Sequence, residues 1–126
     1  MKSIFVALAV IAVSACGGSG GSTSPPTPPI GNTTPPAGGI SVSNDMFSPS
    51  TKTVSVGAEV KWAWNSCTGD PYYGQTCASH SVTFDDGSGS PTQSQGTYSR
   101  IFNAAGTYSY HCSVHGAAMS GTITVQ

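Results

Sequence analysis

From residue 39 to the C-terminus the apolar residues of this 126-residue chain recur with period 2, in short runs, and no stretch keeps helical spacing. The runs are Ile40–Val42, Val54–Val56 ahead of Gly57, Val60–Trp64, His80–Phe84, Tyr108–Cys112 and Ile123–Val125. Breaks rich in Gly, Pro, Asn, Asp and Ser separate them at 65–74, 85–96 and 103–106. Short strands with turn signals at this spacing predict an all-β domain, an antiparallel sandwich.

Period 2 also assigns faces, because successive strand side chains point to opposite sides. His80 shares its parity with Val82 and Phe84, and Cys112 shares its parity with Tyr108 and Tyr110, so both face inward. His111 has the opposite parity and faces solvent. Trp62 and Trp64 read as core. Tyr72 and Tyr73 fall in a long break and read as exposed, and Asp85 and Asp86 read as a solvated turn.

The first 38 residues do not share the pattern. Lys2 precedes an unbroken apolar run, Ile4 to Val13, which has the length of a secretory h-region and falls short of the about 18–20 residues that span a bilayer. Val13-Ser14-Ala15-Cys16 resembles a bacterial lipobox, which implies a signal peptide over 1–15, cleavage before Cys16 and lipidation of its sulfur. Gly17, in place of the Asp that marks inner-membrane retention, favours the outer membrane. Residues 16–38 then form a linker of Gly, Ser, Thr and Pro, with six of the nine prolines (Pro25, Pro26, Pro28, Pro29, Pro35 and Pro36). So little apolar surface cannot offset its ordering entropy, so a flexible half and a stiffer polyproline half are expected. The expected layout is one domain, 39–126, tethered to the cell envelope.

Charge excludes further classes. Only 7% of the chain is Asp, Glu, Lys or Arg. Beyond Lys2 the cations are Lys52, Lys61 and Arg100, against Asp45, Glu59, Asp70, Asp85 and Asp86. With no basic patch, nucleic acid is not an expected partner.

The chemistry is concentrated in Tyr110-His111-Cys112-Ser113-Val114-His115-Gly116-Ala117-Ala118-Met119. A thiolate, an imidazole and a thioether lie within eight residues, and His80 adds a second imidazole from another strand. One Cys, two His and a distant Met make the ligand set of a trigonal copper site with a weak axial sulfur.

With these residues in view, the chain resembles the cupredoxins, the blue copper proteins that include plastocyanin, pseudoazurin and amicyanin. Phe102, Gly106-Thr107-Tyr108-Ser109-Tyr110-His111-Cys112, His115 and Met119-Ser120-Gly121-Thr122 match the family's C-terminal ligand motif. Phe47-Ser48-Pro49, Val60-Lys61-Trp62 and His80-Ser81-Val82 match its earlier part. The resemblance implies a Greek-key β-sandwich or barrel. It also implies one type 1 copper held by His80, Cys112, His115 and Met119, and single-electron transfer between redox proteins such as a cytochrome or a copper enzyme. His115, among small neighbours, is the expected electron port. Two departures stand out. Ser81 follows the first His where the family often has an Asn that ties the ligand loops together, so that tie is expected to be shorter or missing. An insertion, Cys67 to Cys77, precedes His80, and in an oxidising envelope its two cysteines read as a disulfide.

Two other readings use the same residues. Copper could be bound for storage or delivery at the cell surface without electron transfer. A structural zinc site could use the two C-x2-H pairs, Cys77/His80 and Cys112/His115, which requires a free Cys77. An enzyme is not expected, since four protein donors leave no position for substrate. The expected state is a monomer that meets the membrane only through its lipid.

Overall fold

The computed structural model describes residues 31–126. The export segment, Cys16 and the first part of the linker lie outside the described residues.

Ten strands follow in order: β1 (Ile40–Ser43), β2 (Met46–Ser48), β3 (Thr51–Val54), β4 (Glu59–Trp64), β5 (Cys67–Asp70), β6 (Gly74–Cys77), β7 (Thr83–Phe84), β8 (Thr97–Ile101), β9 (Gly106–Cys112) and β10 (Gly116–Val125). They build two four-stranded sheets, β2-β1-β4-β8 and β3-β10-β9-β7, with β5 and β6 as a separate hairpin. This is the all-β sandwich expected from the period-2 runs.

The sheets are mixed rather than antiparallel throughout. β1 runs parallel to β4, pairing Ile40 with Trp62, and β3 runs parallel to β10, pairing Thr51 with Thr122. Parity fixes which face a side chain takes but carries no information on strand direction. A parallel pair needs a long crossover, and β2 and β3 supply one between β1 and β4.

The core is built from the inward parities. Ile40, Val42, Val60, Trp62 and Trp64 of one sheet meet Phe84, Tyr110, Ile123 and Val125 of the other. Trp62 stands edge-on to Phe84 and Tyr110, with ring centroids 5.8 and 5.5 Å away, an arrangement that suits aromatic quadrupoles. Both tryptophans are fully buried. Gly121 of β10 lies flat against the Tyr110 ring, where any Cβ would overlap the phenol and come within 2.8 Å of the Ser50 carbonyl.

At one side Arg100 of β8 lies over the Phe84 ring at 4.3 Å and reaches Asp86 at 2.7 Å. The turn after β7 is therefore solvated, as expected, but also paired.

The break at 65–74 contains structure that composition does not announce. β5 and β6 pair Cys67 opposite Cys77, and the two are joined by a disulfide. Tyr72 and Tyr73 at the tip are 93% and 94% exposed. The last residues of the linker are also engaged. Asn32 accepts the Cys67 N–H at 2.7 Å and donates to the Cys67 carbonyl at 3.0 Å, and the Thr33 N–H donates to the Trp64 carbonyl at 2.7 Å. Asn32 and Thr33 thus find partners on the domain.

Candidate metal centre

His80 enters the site just ahead of β7, held by a two-way backbone bridge to Gln93. Its carbonyl accepts the Trp64 indole N–H at 3.1 Å, which ties the segment to the core. Cys112 ends β9. His115 closes the turn that leads into β10, its backbone N–H donating to the Cys112 carbonyl at 3.2 Å. Gly116, at φ 60°, then starts the return strand, in a conformation that glycine takes without strain.

These three side chains converge. The donor atoms of His80, Cys112 and His115 all lie within 4.8 Å of one another. The Cys112 sulfur is 3.9 Å from His80 Nδ1, and the two imidazole rings are 5.0 Å apart. Cys112 and His80 are fully buried, whereas the His115 side chain keeps 32% of its surface. His115 is therefore the more accessible imidazole, as its sequence context implied.

Met119 is also fully buried, on β10 within the stretch where the register against β9 shifts between Gly116 and Ser120. His111 lies on the other face, with its side chain 38% exposed and Asp85 4.0 Å away. It takes no part in the cluster.

The electrostatics suit a cation. Burial lowers the His80 pKa, the neighbouring His115 lowers it further, and Asp45 opposes both; the net direction favours the neutral ring, the form with a lone pair to donate. Burial pushes the Cys112 thiol up. Backbone hydrogen bonds from Ser81, Val114 and His115, with the nearby His115 side chain, outweigh it and bring the thiol below its ordinary value. One of these, from the Ser81 N–H, spans 3.4 Å to the sulfur. His115 Nδ1 is buried with no protein partner, and His80 Nδ1 has only the Cys112 sulfur near it, at 3.9 Å. Buried polar atoms are nearly always satisfied, so these nitrogens beside a thiol with a lowered pKa fit a bound metal.

Ser81 does more than its short side chain suggests. Its Oγ accepts the Ser113 N–H at 2.9 Å and lies 2.8 Å from Ser113 Oγ. The tie between the two ligand segments is present.

A family model described as copper binding proteins of the plastocyanin/azurin family matches residues 39–126. The chain belongs to this family. As a cupredoxin it binds copper, and His80, Cys112 and His115 form a group able to hold one ion. A plastocyanin from Scenedesmus fuscus is 36% identical over 95 residues, covering 64% of this chain and 87% of the relative. Among solved structures, an oxidised amicyanin variant superposes with a TM-score of 0.57 at 26% identity, covering 70% of this chain and 80% of amicyanin. A purple cupredoxin from Nitrosopumilus maritimus gives a TM-score of 0.55 at 21% identity, over 70% of this chain and 98% of its own, a likeness of fold.

The zinc alternative loses its second pair. Cys77 is bonded to Cys67, which leaves Cys112 as the free thiol among the described residues. Sequence reasoning missed one residue at the site. Asp45, in the two-residue turn between β1 and β2, places Oδ1 3.1 Å from His115 Nε2.

Proposed function

We propose that this cupredoxin is a single-electron carrier of the bacterial cell envelope, with a type 1 copper held by His80, Cys112 and His115 and an axial thioether from Met119. The metal supplies the Cu(II)/Cu(I) couple. The protein supplies a donor set of nearly constant geometry, so little has to rearrange when an electron moves. The observation that carries this reading is the meeting of two imidazoles and one thiol within 4.8 Å in a buried, cross-tied pocket.

Ser81, the Gln93 bridge and the Cys67–Cys77 hairpin stiffen the segments that deliver the donors. Buried Met119 on the adjoining strand is suited to a weak axial contact. Electrons enter and leave at the exposed edge of His115, where a cytochrome or a copper enzyme docks briefly. No position is left for a substrate, so the protein is not an enzyme. It works as a monomer, anchored through lipidated Cys16 after removal of residues 1–15, on the outer membrane and facing the periplasm.

The test is the optical spectrum of the copper-loaded protein beside Cys112→Ser, followed by mixing with a reduced c-type cytochrome. An intense visible thiolate-to-copper band that vanishes in Cys112→Ser, with electron exchange on the millisecond scale, is the expected result. A colourless protein, or one that holds copper yet exchanges no electron, would overturn the reading.

A further inference from the structure

Each ligand imidazole has an outer nitrogen, and the two are treated differently. His80 Nε2 is buried without a partner. His115 Nε2 meets Asp45 Oδ1 at 3.1 Å, while its other nitrogen, Nδ1, is buried and turned to the cluster without a protein partner. Asp45 is brought there by the β1–β2 turn, whose backbone it carries at φ 59°, a left-handed conformation that Asp tolerates better than most residues. Its carboxylate is otherwise exposed, at 75%.

We infer that Asp45 is a positioning residue for the metal: its carboxylate holds His115 as the Nε2–H tautomer, aims the Nδ1 lone pair inward, and biases the bound copper toward its higher charge. A carboxylate accepting a ligand imidazole's outer N–H fixes ring orientation and makes the inner nitrogen a better donor. A negative charge one ring away from the metal stabilises Cu(II) more than Cu(I). Because Asp45 also covers part of the His115 edge, the port is not the charge-free surface that the His115 loop suggests.

The inference rests on the copper reading for its effect on potential but not for its effect on the ring. Two variants separate charge from hydrogen bonding without disturbing the turn, since Asn and Gly both accept the left-handed backbone. In the metal-free protein, nitrogen NMR of His115 should show the Nε2–H tautomer in the parent and in Asp45→Asn, whose amide oxygen still accepts, and a mixture in Asp45→Gly. In the copper-loaded protein, Asp45→Gly should weaken Cu(II) binding relative to Cu(I) about tenfold, which raises the potential by about 59 mV. Asp45→Asn should shift it part of the way. An unchanged tautomer in Asp45→Gly overturns the inference whatever metal the site takes. So does an unchanged potential in a protein that keeps its visible band. A parent protein with no such band would instead sink the copper reading, leaving the tautomer result to decide this one.

Discussion

Ser81 and Ser113, 32 positions apart in sequence, face each other with their hydroxyl oxygens 2.8 Å apart, and Ser81 Oγ also accepts the Ser113 N–H at 2.9 Å. One is next to His80 and the other next to Cys112, so this clasp sets the spacing of the two buried donors. Ser81→Ala should leave the Ser113 N–H without this acceptor and destabilise the domain by about 0.5–1.5 kcal/mol. Urea unfolding measures the loss, and a shift of the thiolate-to-copper band should accompany it. A variant as stable as the parent with an identical spectrum would mean that the clasp is incidental.

His115→Gly should open a coordination position at the accessible side of the site. Added imidazole should then restore a spectrum close to that of the parent, whereas the untreated variant should differ. Copper coordination that is indifferent to the substitution would remove His115 from the ligand set.

Joint replacement of Cys67 and Cys77 by Ser should cost about 2–3 kcal/mol, the loop-closure entropy of so short a ring. Thermal or urea unfolding with and without reductant checks it. The donors themselves lie outside the hairpin, so copper binding should survive.

Gly121→Ala should force a methyl group into the Tyr110 ring and toward the Ser50 carbonyl, both parts of rigid neighbours. Overpacking of this kind costs about 1–3 kcal/mol. A melting temperature equal to that of the parent would show that the Tyr110 ring and the Ser50 backbone can shift to make room.

Asp86 provides a pH signature away from the metal. The Arg100 guanidinium, joined by the Ser88 hydroxyl and N–H, holds its carboxyl well below the usual range. A carboxylate depressed in the folded state adds stability at pH values above its unfolded pKa, and that stability is lost as pH falls below about 4. Asp86→Asn should therefore flatten the fall of melting temperature between about pH 4 and pH 2. Identical slopes for the two proteins would refute the pairing.

Much of this site was legible in the sequence because it depends on parity and short spacing. His80 inward, Cys112 inward and His111 outward all follow from alternation, and each is found so. The turn after Cys112 brings His115 back by local geometry. The missing pieces are those that no local rule encodes. Strand direction leaves no mark on alternation, so the parallel pairs went unread. β8, with the sequence Thr-Tyr-Ser-Arg-Ile, buries no residue fully and lacks an apolar parity. β5 and β6 consist largely of Thr, Gly, Asp and Gln, and their pairing follows from the disulfide and the turn rather than from burial. Asp45 reads as an ordinary turn residue until β1 and β10 are placed at the same end of the sandwich.

β10 lies between β3 and β9 in the interior of its sheet. Until β10 docks, that sheet has a gap through its middle, and the Cys112 thiol on β9 has no cover. Three sulfurs are then in play at once. Cys67 and Cys77, ten positions apart, meet through a small ring well before any partner distant in the chain can arrive. Early closure of that ring keeps Cys112 as the odd thiol, and arrival of β10 seals it away from further exchange. Short separation in the chain thus protects the one sulfur that the metal requires.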